Sequence, residues 1–171
     1  MGTDEKQFDP ELTAEGLLEQ LNEFKHSRTL IVGIGNTLKA DDAVGPLVCQ
    51  KLLQSQISAE IIDAATVPEN YIQQIIKKSP QKLLIVDAID FKAAPGTIKI
   101  FKPEQLSNVA FSTHTLSPHL FIDMICKGIE VDVFVIGIQP AKIKLGEGVS
   151  EPVNEAVEQL VSTLIEVFPP R

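Results

Sequence analysis

Short apolar runs and helically spaced apolar stripes alternate along most of the chain. Five segments are short and apolar and predict strands: TLIVGI, AEIIDAA, QKLLIVDAI, GTIKIFK and VDVFVIGIQP. Four others repeat apolar residues at helical spacing and predict helices: DAVGPLVCQKLLQ, VPENYIQQIIKKS, LSPHLFIDMICKG and SEPVNEAVEQLVSTLIEVF. This alternation is typical of an open sheet with helices on both faces. We therefore predict an α/β three-layer sandwich around a twisted, mostly parallel sheet of about five strands.

Two segments depart from the simple alternation. GTIKIFK follows the central strand without a crossover helix, which predicts one antiparallel, half-exposed strand. Before the first strand, PELTAEGLLEQLNEFKHS predicts an extra amphipathic helix with an apolar stripe formed by Leu12, Leu17, Leu18, Leu21 and Phe24. The chain thus divides into an N-terminal extension with one helix, residues 1–28, and a single α/β domain, residues 29–171. On the helix after the first strand, the predicted buried face contains Val44, Leu47, Val48, Leu52 and Leu53.

Composition and charge narrow the class of protein. The 171 residues are 44% hydrophobic and 22% charged, with a formal net charge of −8. This acidity disfavours a nucleic-acid binder and an electrostatic membrane anchor. The polar N-terminus does not resemble a signal peptide, and no apolar run approaches the roughly 20 residues of a membrane span. The two cysteines form no C-x-x-C motif, so we expect a cytoplasmic protein with buried, reduced thiols.

Polar residues that carry chemistry follow the predicted strands. In open α/β sheets the binding crevice lies at the carboxyl ends of the strands. The residues expected at that edge are Asn36, Asp41, Asp42, Asp63, Asp87, Asp90, His114, His119 and Gln139. Acidic groups and histidine are therefore predicted to meet at one edge of the sheet.

Gly33-Ile34-Gly35 resembles the start of a dinucleotide-binding fingerprint, but position 38, where the third glycine belongs, is a leucine. Two aspartates at the start of the following helix would also repel a phosphate. A nucleotide-binding regulator is consequently the least favoured hypothesis, and a turn that needs glycine is the simpler explanation.

The adjacent aspartates have different predicted roles. Asp41 stands where a helix N-cap belongs, so its carboxylate is expected to accept helix amide hydrogens. Asp42 then falls in the first turn, where its negative charge either interacts favourably with the helix dipole or coordinates a metal ion. Asp87 follows an apolar run and needs a loop cap, a metal or a catalytic role, because unpaired burial of charge costs several kcal/mol.

Asp42, Asp87 and His114 together offer two carboxylates and an imidazole from three separate segments. That donor set suits a borderline divalent ion such as zinc or nickel, with coordination positions left open. A pair of aspartates sharing a proton, Asp42 with Asp87, is a further possibility. The sequence has no Gly-x-Ser-x-Gly, His-Glu-x-x-His or Walker motif.

Six motifs in order resemble the nickel-iron hydrogenase maturation endopeptidases, and most closely the branch that serves formate-hydrogenlyase-type, energy-converting hydrogenases. They are GIGNTLKADDAVGP, IDAATVPEN, LLIVDAID, PGTIKI, STHTL and IGIQP, and the resemblance covers about residues 29 to 168. It implies an endopeptidase, aspartic-type by family naming, that removes a C-terminal extension from the hydrogenase large-subunit precursor after nickel has been inserted.

The resemblance also implies the roles of individual residues. The metal-contacting positions fall on Asp42, Asp87 and His114, and both aspartates are the implied catalytic residues. The nickel is carried by the precursor, which is the expected partner. Substrate-binding positions are Asn36, Glu69 and Asn70.

Three features depart from the family pattern or leave alternatives open. The N-terminal helix is extra, and Asp63-Ala64-Ala65 replaces a sequence with two glycines after the aspartate. His119, in SPH, is the alternative to His114 as the metal ligand. A different class of function also stays open: a metal-sensing binding protein or chaperone that binds the precursor without cutting it. We expect a monomer that binds neither nucleic acid nor membrane.

Overall fold

A computed structural model describes residues 14–111, 116–146 and 148–171 of the chain. Its helices are α1 (Ala14–Leu21), α2 (Val44–Gln54), α3 (Ile72–Lys78), α4 (Pro118–Gly128) and α5 (Glu151–Val167). Its strands are β1 (Thr29–Ile34), β2 (Glu60–Ala65), β3 (Lys82–Asp90), β4 (Ile98–Phe101), β5 (Ala110–Phe111) and β6 (Asp132–Ile138). Short 3₁₀ turns cover Asn22–Phe24, Ala40–Ala43, Pro68–Tyr71 and Pro103–Asn108.

The sheet has six strands, and the predicted α/β class is confirmed. Five strands lie in the order β2-β1-β3-β6-β4, while the short β5 pairs with the end of β3. The pairs β1–β2, β1–β3 and β3–β6 are parallel, and β4 is antiparallel to β6 at the end of the order, as GTIKIFK predicted. β5 was not predicted, because two residues are too short to show a period.

Each face of the sheet packs against helices. The core on one face joins α1, α2 and α5, with Val48, Leu84 and Leu160 among its buried side chains. The core on the other face joins α3 and α4, with Ile75 and Phe121 buried. Alternate residues of β3 pack into one core and then the other, which explains why this central strand is apolar on both faces.

The N-terminal helix is integral to the first of these cores. Leu17, Leu21 and Phe24 are fully buried, and α1 lies against α5. The Phe24 ring meets Phe134 of β6 edge to face, with centroids 4.9 Å apart. Each buried leucine contributes about 1.5–3 kcal/mol, so the described part of the extension stabilises the sheet. Leu12 of the predicted stripe lies outside the described residues.

One predicted core residue is wrong. Leu53 is 55% exposed, although Val44, Val48 and Leu52 of the same helix are buried as expected. Leu53 follows Leu52 by about 100° around the helix, and that rotation takes its side chain off the buried stripe. Among the helices that the structure describes, none is both long and apolar enough to cross a bilayer.

Candidate active site

The candidate active site lies where the strand order reverses. The chain passes from β1 to β2 on one side of β1 and then returns to β3 on the other side. Segments leaving the carboxyl ends of β1 and β3 therefore diverge, and such a reversal leaves a crevice that commonly binds ligands. Asp42 comes in the segment after β1, and Asp87 lies in the second half of β3.

A tight turn brings Asp42 back to the end of β1. The backbone N–H of Asn36 donates to the Asp42 carboxylate at 3.1 Å and is 3.2 Å from its main-chain carbonyl oxygen. Asn36 Oδ1 accepts from the Leu38 N–H at 2.9 Å, and Asp42 N–H donates to the Lys39 carbonyl at 2.9 Å. A Cβ on Gly35 would lie 2.0 Å from the Asp42 carbonyl oxygen, so only glycine permits this closure.

Gly45 brings the start of α2 against the ends of both strands. A Cβ at this position would lie 2.2 Å from the Ile34 carbonyl oxygen and 2.7 Å from that of Val86. Val86 immediately precedes Asp87, and the Ala40–Ala43 turn lies against β3. The close approach at Gly45 therefore sets the turn containing Asp42 beside the strand that carries Asp87.

Asp41 has a structural role different from the one predicted. Its fully buried carboxylate accepts four hydrogen bonds, from the N–H groups of Ala141 (2.8 Å), Lys142 (3.0 Å) and Ser150 (2.7 Å) and from Ser150 Oγ (2.8 Å). The N-cap residues are Lys39 for the 3₁₀ turn and Ala43 for α2, and neither makes a side-chain cap hydrogen bond. The N-cap prediction for Asp41 is thus wrong, because its carboxylate accepts hydrogen bonds from the loop between β6 and α5 and not from helix amides.

Asp87 is 2% exposed and lies inside β3 rather than beyond it. It pairs with Gly137 of β6 and lies one residue beyond Val86, the last residue of β3 that pairs with β1. The pocket that it lines is otherwise apolar, with walls from Ile34, Pro68, Ile85, Phe111, Leu116, Pro118, Phe121, Ile122 and Val135. Electrostatic interactions of a carboxylate in such surroundings are stronger than in water.

The two predicted substrate-binding residues after β2 lie on the 3₁₀ turn that begins at Pro68. Pro68 lines the Asp87 pocket, and Glu69 follows it. Glu69 Oε2 is buried and accepts no hydrogen bond from any residue that the structure describes. Asn70 is exposed, and its N–H donates to the Val67 carbonyl at 3.0 Å.

Gln139 organises the neighbouring end of β3, a role that its position alone did not reveal. Its Oε1 accepts from the N–H groups of Phe91 (2.8 Å) and Ala93 (3.3 Å), and its Nε2 donates to Asp90 at 3.1 Å. Hydrogen bonds from the Lys92 N–H and then from Gln139 hold the pKa of Asp90 below its ordinary value. The only signal in the sequence was a polar residue directly after a buried strand.

The histidines differ in their relation to the crevice. His114 lies outside the described residues, but Phe111 and Leu116, which flank its segment, both line the pocket with Asp87. His119 is exposed on α4. Within residues 14–111, 116–146 and 148–171, no three histidine, cysteine or acidic side chains are grouped to hold a metal. Asp42, Asp87 and His119 therefore do not form such a group.

The cysteines offer no nucleophile to this site. Cys49 is buried, and burial together with the charge of Asp63 raises its pKa to about 12. Its thiol donates to the Ile62 carbonyl at 3.6 Å. Cys126 is exposed on α4, so the expectation of buried thiols is confirmed for Cys49 and wrong for Cys126; both thiols are free. A thiolate mechanism therefore has no support in this crevice.

Comparisons with known proteins agree on one family. Residues 46–167 match the family model for HycI, described as hydrogenase maturation protease. A putative hydrogenase maturation protease of Methanocaldococcus jannaschii is 35% identical over 163 residues, covering 90% of this chain and 95% of that protein. The hydrogenase 3 maturation protease of Escherichia coli K12 is 31% identical, covering 79% and 87%.

Solved structures give the same result. The crystal structure of the [NiFe] hydrogenase maturation protease HycI from Thermococcus kodakarensis superimposes with a TM-score of 0.78 at 30% identity, covering 87% of this chain and 97% of that one. These comparisons confirm the family resemblance of the motifs, and the residues matched by the family model include Asp87. The chain belongs to the HycI family of hydrogenase maturation proteases.

Proposed function

We propose that this protease removes a C-terminal extension from a nickel-iron hydrogenase large-subunit precursor, and that it recognises nickel already bound in the precursor. The observation that carries the proposal is the pair of buried carboxylates, Asp42 and Asp87, at the reversal of strand order. Carboxylate oxygens are ligands for divalent cations such as nickel. A cation delivered with the substrate would bind at these two side chains.

The proposed metal contacts are Asp42, Asp87 and His114. His114 is two residues from Leu116, a span of at most about 7 Å along an extended chain, and Leu116 lines the pocket with Asp87. Two oxygens and one nitrogen suit nickel and leave positions for the precursor's own ligands. A metal ion held between enzyme and substrate would orient the scissile peptide and polarise its carbonyl. Asp42 and Asp87 are the proposed catalytic residues.

Asn36, Glu69 and Asn70 are the proposed substrate-binding residues. Glu69 supplies the strongest support, because its buried Oε2 has an acceptor position open on the turn next to the Asp87 pocket. A peptide N–H or a cationic side chain of the precursor would satisfy it. Asn36 uses its Oδ1 for Leu38, so its amide nitrogen is the group offered to substrate.

The test compares nickel-loaded and nickel-free precursor as substrates, with cleavage followed by intact mass. We expect the wild type to release the extension from the loaded form alone. His114→Ala should abolish cleavage, whereas His119→Ala should leave it within about twofold, since His119 is exposed on α4. Asp123→Ala, which changes an exposed acid on the same helix, is the matched control for lost charge.

Each outcome distinguishes the alternatives. Equal cleavage of both precursor forms would contradict nickel recognition. Binding of the loaded precursor without a change in its mass would favour the non-proteolytic metal-sensing protein or chaperone. Loss of cleavage in His119→Ala with full activity in His114→Ala would transfer the ligand role to His119.

The finer expectations belong to the same proposal. We propose that the enzyme acts as a monomer in the cytoplasm, where its two free thiols stay reduced. The aspartic-type family name implies a carboxylate as the base that activates water. In Asp87→Asn an amide oxygen would still be available to the metal while the base is lost. We therefore expect this change to lower cleavage and to leave precursor binding unchanged.

A further inference from the structure

Three large apolar side chains are exposed beside the crevice. Leu38 is 66% exposed, Ile143 38% and Leu145 72%. Single exposed apolar residues are common on protein surfaces. These three, however, come from two loops that are hydrogen-bonded to each other. Leu38 lies in the first loop, after β1, and Ile143 and Leu145 lie in the second, between β6 and α5. We call the three side chains the apolar rim.

Backbone hydrogen bonds hold the rim in its exposed conformation. Gly146 N–H donates to the Leu38 carbonyl at 2.9 Å, and Asp41 N–H donates to the Lys142 carbonyl at 3.1 Å. The Asp41 carboxylate then accepts from Ala141, Lys142 and Ser150, so it fixes both ends of the second loop. These bonds fix the backbone at Leu38, Lys142 and Gly146, so the fold of the chain itself sets the backbone positions beside the apolar side chains. Such preorganisation lowers the entropic cost of binding.

The apolar rim is continuous with the proposed active site. Leu38 lies within the turn that Asn36 closes onto the Asp42 carboxylate. Any surface that contacts Leu38 is therefore anchored on the turn that presents Asp42. Exposed apolar residues that lie close together mark sites of protein–protein contact, and the bond from Gly146 to Leu38 brings Leu145 close to Leu38.

The proposed reaction identifies the occupant. In the proposed reaction the precursor brings its nickel to Asp42, so the part of the precursor that holds the nickel, and not only its extension, must approach Asp42. The first loop carries Lys39 together with the buried acids Asp41 and Asp42, and the second carries Lys142, Lys144 and Glu147, in a chain whose net charge is −8. Lys142 and Lys144 are exposed. Acidic groups around an apolar patch complement these lysines.

We infer that Leu38, Ile143 and Leu145 form a docking surface for the folded hydrogenase precursor, in contact with an apolar, acid-flanked patch beside its C-terminal extension. This inference rests on the proposed function, and it adds the place where the body of the substrate is held. The apolar rim contributes to binding the precursor, and Asp42 and Asp87 act in its cleavage.

The experiment measures precursor binding and cleavage separately. Nickel-loaded precursor is immobilised for biolayer interferometry with wild type, Leu38→Ser, Leu145→Ser and the double variant. We expect Kd to rise about tenfold for each single change and further for the double variant, as for central interface residues. KM should rise in parallel, with kcat at saturation within about twofold. Thermal melting checks that the exposed substitutions leave the fold intact.

Leu53→Ser is the matched control. Leu53 has similar exposure, 55%, but lies near the end of α2 that is remote from Asp42. Its Kd and KM should equal those of the wild type.

Four results decide the inference. An unchanged Kd in Leu38→Ser and Leu145→Ser would overturn it, as would an equal loss in Leu53→Ser. Dimers that dissociate in Leu145→Ser, with precursor binding unchanged, would assign the rim to a second copy of the chain and also overturn it. Rim-dependent binding without cleavage by the wild type would support docking while contradicting the proposed peptidase activity.

Discussion

At the amino end of the sheet, Lys78 pairs with Glu60 where both side chains still reach solvent, whereas at the carboxyl end Asp41, Asp42 and Asp87 are buried. The exposed pair contributes about 0–1 kcal/mol at most, because water screens it. Buried carboxylates are costly by comparison and persist only with compensation. Asp41 receives that compensation from a loop of the same chain. The difference shows that charge is tolerated at little cost at the amino end of the sheet, whereas at the carboxyl end a buried carboxylate such as Asp41 requires several hydrogen-bond partners.

The sharpest test of this contrast replaces a buried acid at one end and an exposed acid at the other. Asp42→Asn and Asp87→Asn should each lower the rate of precursor cleavage by about 10²–10⁴-fold, as for lost catalytic groups. Glu60→Gln should leave that rate unchanged and shift the free energy of unfolding by less than about 1 kcal/mol. Rates are measured by intact mass with saturating nickel-loaded precursor. Full activity in either Asn variant would remove the distinction between the two ends.

The second test separates the adjacent aspartates of the carboxyl end. Asp41→Ala removes four hydrogen bonds to a charged acceptor and should lower the free energy of unfolding by about 3 kcal/mol or more. Asp63→Ala is the control, because the exposed Asp63 carboxylate accepts only from Ala65 N–H in the described structure, at 3.0 Å. It should cost less than about 1 kcal/mol. Urea unfolding measures both, and equal losses would contradict the structural role of Asp41.

A third, smaller effect is expected from the contact between α2 and the strand ends. Gly45→Ala places a methyl group against two backbone carbonyls that cannot move aside easily, and should cost about 1–3 kcal/mol. Gly148→Ala is its control, because a Cβ there meets no atom within 4 Å. Thermal unfolding of the two variants provides the comparison. Wild-type stability in Gly45→Ala would mean that the helix can shift without cost.

The smallest expected effect depends on pH. Because its pKa is lowered in the folded protein, Asp90 stabilises the fold above its unfolded pKa, and this contribution is lost as pH falls through the lowered value. Asp90→Asn should therefore reduce Tm by about 1–2 °C near pH 7, and the difference should vanish at strongly acid pH. The effect is small because the side chain is partly exposed. A Tm difference that grows on acidification would contradict this assignment.

Much of the fold was predictable because its strands and helices have distinct periods. The apolar run before Asp87 predicted a central strand, and the lack of a helix before GTIKIFK predicted the antiparallel neighbour; the sheet pairings confirm both. Asp42 and Asp87 were predicted at the crevice from topology alone, since strand ends in such sheets share an edge.

The remaining features depend on contacts between distant residues. Asp41 bonds to groups 100 to 109 residues away, and Gln139 to groups 46 to 49 residues away. No local pattern reveals such partners, so Asp41 was assigned to the nearest helix. The exposed rim was missed for a similar reason: Leu38 and Leu145 become neighbours only once their loops are joined.

The bonds of Asp41 also set when this part of the fold can be completed during synthesis. Ser150 is 109 residues after Asp41, so its amide leaves the ribosome on the order of 5–20 s later at common elongation rates. Until then the turn that presents Asp42 lacks the donors that offset its buried neighbour. The turn at the carboxyl end of β1 therefore takes its final structure only after residues 141–150 have been synthesised.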